Sequence, residues 1–416
     1  MRGYRLRPGN HLELLENGVA LFPALCAAID AARSSVHLET YIFKTDASGR
    51  EVLEAIKRAA RRGVVVRVVV DGFGSAEQAD VIRDEIQAAG GACRIYRPEP
   101  KWFRWLVLHP DRLRRLHRKM VVIDGQFAFI GGINIEDDFP DEPAENLPRE
   151  PRYDYAVRIA GPVVSDIARA VNHVWLRLNW LEIGRSLSAW RQLRRQTRSW
   201  SGQPVPNVST HAQPVSGSNE PPPDGMTAAL VLRDNLRYRR TIEQVYLQAI
   251  DQAQREIIIA NAYFLPGRRL RQALIAAAKR GVRVRLLLQG LVEYRLQSHA
   301  TRWIYDLFLD AGVEIREYMP SHLHGKVAVM DDVATVGSSN LDPFSLLLAR
   351  EANVVIHDVI FASRLRSSLE RAISRGSIVI DSRTHGKRQL MNRVMDALSY
   401  LLVRIGVAIS GRGQDY

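Results

Sequence analysis

The sequence predicts an α/β protein made of two tandem homologous lobes, and three observations predict it. Apolar runs of strand length alternate with stretches of helical periodicity along most of the chain. The segments ARRGVVVRVVVDG (60–72) and AKRGVRVRLLLQG (278–290) align without a gap, as an internal duplication requires. The spacing His-x-Lys-x-x-x-x-Asp occurs twice, as His117, Lys119 and Asp124 and as His324, Lys326 and Asp331, each followed by a run that ends on an asparagine, Asn134 and Asn340. With 11 histidines, 7 lysines and 24 aspartates in 416 residues, chance supplies such a match about 0.01 times, so two copies are not an accident. Of 58 basic residues only 7 are lysine, yet lysine stands at both motif positions.

The first lobe reads in order. Apolar positions at helical spacing predict a helix over 19–33, and VHLETYIF predicts a strand over 36–43. A helix over 51–63 closes on Gly63, with Lys57, Arg58, Arg61 and Arg62 at the end its dipole favours. A strand over 64–72, a helix over 76–89 and a short strand over 93–97 follow. His117 to Asn134 reads as a hairpin. His117 and Lys119 share one face of a strand, Met120 to Ile123 form a buried run, and Asp124-Gly125 supplies a turn in which both residues adopt positive φ. A strand over 154–162 and a helix over 164–181 complete the lobe. Residues 199–226, rich in Pro, Ser and Gly, read as a linker or surface loop between a lobe at 1–198 and a lobe at 227–416. The second lobe repeats the order with a helix over 241–254, a strand over 256–264, a helix over 268–280, a strand over 282–290 and the second hairpin.

Composition narrows the class. A hydrophobic share of 46% with 25% charged residues is that of a globular protein, not a disordered or fibrous one. The net charge of +13 draws the chain to polyanions, either nucleic acid or an anionic membrane face. Cys26 and Cys93 form no disulfide framework, which predicts a reducing compartment. The N-terminal residues lack an apolar signal core, and no run of 18 apolar residues predicts a membrane span.

An imidazole, an ammonium and an amide delivered together suit a phosphodiester. A neutral imidazole attacks phosphorus and splits one difficult displacement into two, while a second, protonated imidazole gives the leaving alkoxide its proton. Lys119 and Lys326 balance the phosphoryl charge, and Asn134 and Asn340 donate hydrogen bonds to the same oxygens. The lysines take the place of a cation, so no cofactor is expected; no Cys/His cluster has zinc spacing. Each histidine needs a partner on its other nitrogen, for which Asp154 and Glu351 are candidates at equivalent positions. Asp124 and Asp331 have the opposite strand parity to their histidines, which favours fixing the turn over chemistry. Asn134 follows Asp124 by ten residues but Asn340 follows Asp331 by nine, so the second turn is tighter, a bulge has been lost, or Asn340 is out of place. The acidic run Glu136, Asp137, Asp138, Asp141 and Glu142 reads as an exposed loop, not a metal site, and His385 with Lys387 as solvated chain.

The duplicated motif resembles the phospholipase D superfamily. Further stretches, RDN (233–235), ANAYFLPG (260–267), VGSSNLDP (336–343) and REANVVIHD (350–358), resemble its bacterial cardiolipin synthases of the type without N-terminal membrane spans. The resemblance implies two α/β/α sandwich lobes, each with a mixed sheet, whose motifs meet in one active-site cleft. It implies a phosphatidyltransferase working through a phosphohistidine, with His117 as nucleophile and His324 as general acid and then base, or the reverse, and His117, Lys119, Asp124, His324, Lys326 and Asp331 as the catalytic set. The implied substrates are phosphatidylglycerol and a second phospholipid, such as phosphatidylglycerol or phosphatidylethanolamine. The alternative is a hydrolase of the same superfamily, a phospholipase D or a nuclease.

The basic and aromatic stretch 101–119, the arginine-rich stretch 188–200 and the apolar C-terminal stretch 393–409 suit a lipid headgroup region better than nucleic acid, and 393–409 is too short to span. The partner expected is the anionic membrane surface, approached peripherally from the cytoplasmic face, with no nucleic acid.

Overall fold

The computed structural model describes residues 4–98, 114–139, 150–183, 225–235, 237–382 and 390–409. Two halves repeat one strand order. In the first, β1 (Arg7–Glu16), β2 (Ser35–Thr40), β3 (Val65–Asp71), β4 (Ala92–Tyr96), β5 (Lys119–Ile123), β6 (Phe127–Gly131) and β7 (Tyr155–Ala160) lie side by side as β1-β7-β6-β5-β2-β3-β4. In the second, β8 (Met226–Arg233), β9 (Glu256–Asn261), β10 (Arg283–Gln289), β11 (Glu314–Tyr318), β12 (Lys326–Met330), β13 (Val333–Gly337) and β14 (Glu351–His357) lie as β8-β14-β13-β12-β9-β10-β11, with β15 (Ser377–Ile380) added at the edge. The β2-β3-β4 and β9-β10-β11 pairings are parallel and the others antiparallel, so each half holds a mixed sheet.

The halves are not separate sheets. β1 and β8, two strands absent from the sequence reading, pair antiparallel at Arg7↔Ala228 and Asn10↔Met226 and make one sheet of 15 strands. Asn10 is buried at the joint, where its amide donates to Met226 O at 3.2 Å and accepts from Val163 N at 2.9 Å. β8 begins at Met226, the last residue of the stretch read as linker; residues 199–224 lie outside the described ones.

Helices cover both faces. The two motif strands alternate their side chains between them. Met120 and Val122 of β5 and Val327 and Val329 of β12 enter a core common to both halves, which the helices Val164–Ile183 and Val359–Ser374 close with Ile167, Val171, Phe361, Leu365 and Leu369. Val121 and Ile123 face a core of the first half, and Ala328 and Met330 one of the second. The ends of both motif strands are therefore locked to one another through a shared core. The helix expected over 51–63 begins earlier, at Ala47, because Asp46 accepts from Gly49 N at 2.9 Å and caps it.

The hairpins explain the uneven asparagine spacing. Ile123 pairs with Phe127, so the first turn has a three-residue loop with Asp124 at φ 53 and Gly125 at φ 66. Met330 pairs with Val333, so the second loop is only Asp331 and Asp332. The missing residue is in the turn, and both asparagines follow the last strand glycine, Gly131 or Gly337, by three positions.

Candidate active site

Each histidine hangs from the other half. His117 N donates to Arg350 O at 3.0 Å, and His324 N donates to Tyr153 O at 2.9 Å. Arg350 and Tyr153 immediately precede Glu351 and Asp154. The same crossover therefore brings Glu351 to His117 and Asp154 to His324. His117 Nδ1 lies 3.1 Å from Glu351 Oε2, and His324 Nδ1 lies 2.6 Å from Asp154 Oδ2. An acid of one half fixes the tautomer and ring orientation of the histidine of the other, leaving each Nε2 for chemistry. The sequence singled out both acids but not this exchange.

The lysines lie beneath. Lys119 Nζ donates to His117 O at 2.9 Å, Lys326 Nζ donates to His324 O, and Lys326 is 0% exposed. Burial drives Lys119 down to about 7, against the pull of Glu351, and Lys326 to about 8, against that of Asp154. Burial also lowers His117, opposed by Glu351, and lowers His324 further because Lys326, Lys119 and Arg152 add to it. Burial raises Asp154 to about 6, whereas at Glu351 the effect of burial is outweighed by His117, Lys119 and the Ser338 hydroxyl, which leave it below the ordinary glutamate value. With neutral histidines, two lysines balance two carboxylates. A phosphodiester monoanion entering with one proton for an imidazole keeps that balance, so the site is electrically suited to a phosphodiester. Asn134 and Asn340 are buried, the Asn134 amide donates to Glu136 Oε1 at 3.2 Å, and the side-chain oxygen of each lacks a hydrogen-bond partner.

The two motif aspartates that the resemblance placed in the catalytic set serve the turn, as strand parity favours, and the acidic run departs from its expected exposure. Asp124 accepts from the backbone N–H groups of Arg33, Ser34 and Ser35, and Asp331 from those of Gln254, Arg255 and Glu256, all at 2.8–3.1 Å. They sit beyond the far ends of β5 and β12, roughly 23 Å along the chain from the imidazoles, and serve the turn rather than the reacting atoms. The acidic run is not exposed in its described part: Glu136 is buried between Lys44 at 2.9 Å and Arg152 at 2.7 Å, and Asp138 accepts from Gly18 N. Asp141, Glu142, His385 and the stretches 101–113 and 188–200 lie outside the described residues. Among the described residues no group of three or more His, Cys, Asp or Glu is placed to hold a metal ion.

The duplicated frame carries asymmetries that the sequence reading missed. Tyr41 lies against His117 with ring centroids 4.7 Å apart and 5.3 Å from Lys119 Nζ, while the matching residue after β9 is Ala262. Ser338 donates its hydroxyl to Glu351, whereas at the matching Gly132 a Cβ would overlap the Asp154 carboxylate. Asp71, at the end of β3, accepts from Leu116 N at 2.8 Å, and its counterpart Gln289, at the end of β10, accepts from Leu323 N at 2.6 Å. The gapless alignment of 60–72 with 278–290 already paired these last two residues, and that pairing was the available signal.

Two imidazole–carboxylate pairs crossed between duplicated halves over buried lysines define a phospholipase D-like enzyme. The family model described as cardiolipin synthase, phospholipase D-like domain, matches residues 25–147 and 246–373. Cardiolipin synthase B of Escherichia coli K12 is 39% identical over 406 residues, 97% of this chain and 90% of that protein. Cardiolipin synthase 2 of Bacillus anthracis is 28% identical over 93% of this chain and 69% of its own length. The phosphatidylserine synthase structure of Haemophilus influenzae, 16% identical, superposes with a TM-score of 0.64 over 97% of this chain and 94% of that one, and so shares the fold. The chain belongs to the phospholipase D-like cardiolipin synthase family, and it is a phosphatidyltransferase acting on phospholipids.

Proposed function

We propose that the chain condenses two phosphatidylglycerol molecules into cardiolipin and glycerol. His117 Nε2 attacks the phosphorus of the first, an N–P bond forms, and the P–O bond to the glycerol headgroup breaks as His324 gives that oxygen its proton. A headgroup hydroxyl of the second lipid then loses its proton to His324 and attacks phosphorus, and the N–P bond breaks. Lys119, Lys326, Asn134 and Asn340 hold the non-bridging oxygens throughout. The crossed pairing of His117 with Glu351 and His324 with Asp154 carries this reading, because it gives each imidazole one defined tautomer. Purified protein with vesicles of labelled phosphatidylglycerol should release cardiolipin and glycerol, undiminished by a chelator. Phosphatidic acid as the sole lipid product would make the chain a hydrolase instead.

The membrane partner is assigned to the helix Leu390–Ile409. Its polar residues Asp396 and Ser399 are buried, Asp396 against His299 at 2.7 Å, while Met391, Val394, Leu398, Leu401, Leu402 and Ile405 are exposed. That is the inverse of a helix facing water. Exposed Arg393 and Arg404 add charge for an anionic leaflet. No helix among the described residues is long and apolar enough to cross a membrane, so the helix is read as lying in the interface. Leu398→Glu with Leu402→Glu should weaken cosedimentation with anionic vesicles by about tenfold or more, and added salt should weaken that of the wild type. Unchanged cosedimentation with loss of self-association would show that a second copy covers this face.

A further inference from the structure

Beside His324 the fold opens a recess. It is shallow and open to solvent, and lined by Tyr263, Gln289, Glu293, Tyr294, Gln297 and Ser298 among others. Two contacts fix its place. Ala262, on its wall, donates N–H to Gly325 O at 3.1 Å, one residue past His324. Gln289, at its base, holds Leu323 N at 2.6 Å and lies 2.8 Å from His322 Nδ1. Glu293, exposed at the rim, lies within electrostatic reach of Lys326, Arg152 and His322.

The first half differs at the place that matches Glu293. The residue four places beyond β3 is Ser75, where β10 is followed by Glu293. Ser75 is buried, and its hydroxyl donates to Tyr41 O at 3.0 Å and accepts from Phe43 N at 3.0 Å. The carboxylate of the recess is therefore a departure of the second half, on the side of His324.

Its lining is chemically specific. Gln297 Oε1 is buried without a hydrogen-bond partner, a cost that a donor from a ligand would remove. Glu293 Oε2 accepts from Tyr263 Oη at 2.7 Å. Gln297, Ser298 and Thr301 add amide and hydroxyl groups, and Tyr294 and Tyr305 add aromatic faces. One carboxylate beside Arg152, Lys119 and Lys326 does not favour a cation. Amides and hydroxyls around aromatic rings suit a neutral polyol.

We infer that this recess binds the glycerol headgroup, first of the lipid that gives up its phosphatidyl group and then of the lipid that accepts it. The inference rests on the proposed roles of the histidines. In a displacement at phosphorus the leaving oxygen departs opposite the nucleophile, so the headgroup lies on the side of the imidazole that protonates it. By reversal, the incoming hydroxyl enters there too.

The test compares two anionic donors, phosphatidylglycerol and phosphatidylmethanol, by total phosphatidyl group consumed, whether it ends in cardiolipin, phosphatidic acid or another lipid. The wild type should prefer phosphatidylglycerol, and Gln297→Leu and Glu293→Gln should each lower the ratio of the two kcat/KM values by about tenfold. Partial misfolding lowers both rates and leaves the ratio intact. A ratio unchanged in both variants would overturn the inference. If the wild type yields only phosphatidic acid, cardiolipin synthesis fails, but the ratio still reads the recess.

Discussion

His117→Ala and His324→Ala should each lower phosphatidyl transfer by about 10⁴-fold or more, and the double variant little further, because groups that act as one unit are not additive. The two losses differ in kind. Without His117 there is no nucleophile, and a donor with a better leaving group does not restore the rate. Without His324 the first step lacks only a proton, so a donor such as a p-nitrophenyl phosphodiester should restore headgroup release while the second step stays slow. Rapid-quench measurement of the released p-nitrophenol checks this. A burst in His324→Ala with none in His117→Ala assigns the roles as proposed, and the opposite pattern exchanges them.

Asp154→Asn and Glu351→Gln should each cost about 10²–10⁴-fold, since an amide in place of the carboxylate favours the wrong tautomer and removes the counter-charge of an imidazolium. Their pH profiles should move in distinguishable ways. Loss of a neighbouring negative charge lowers the pKa of the imidazole it faced. His324, held below His117 by burial and the lysines before substrate enters, must be protonated to act as an acid once the phosphodiester's negative charge offsets the lysines, so in Asp154→Asn the high-pH limb of kcat should shift to lower pH. His117 must be neutral to attack, so in Glu351→Gln the low-pH limb should shift to lower pH, widening the active range on that side. Profiles of kcat against pH for both variants decide whether the acids serve crossed histidines. A shift of the high-pH limb in Glu351→Gln would contradict His117, paired with Glu351 at 3.1 Å, as the nucleophile.

The parts legible in the sequence were those set by local pattern. His117 and Lys119 share a strand face because strand periodicity is two, and the same rule placed His324 and Lys326. The asparagines were legible once the turns were counted, since the difference of one residue lies in the loops after Ile123 and Met330. The joining strands β1 and β8 carry weak local signals, because HLELLE alternates over a short run and β8 follows directly on the Pro/Ser/Gly-rich stretch. Glu136 and Asp138 were misread for a different reason. Their acidic run looks solvated, and only tertiary structure brings Lys44, Arg152 and the N–H of Gly18 to them. The exchange of acids between halves was likewise invisible, because equivalence of Asp154 with Glu351 holds whether each serves its own histidine or the other.

The most direct test of the central claim, one cleft in which His117 attacks and His324 relays the proton, is mass spectrometry of the peptide spanning 116–118. The His324→Ala protein, mixed with an activated short-chain phosphatidyl donor and quenched under conditions that spare phosphohistidine, should carry a phosphatidyl group on His117, and the His117→Ala protein should carry none. An adduct on His324 in the His117→Ala protein, or no adduct in either protein together with inversion at phosphorus in the wild-type transfer, would contradict it.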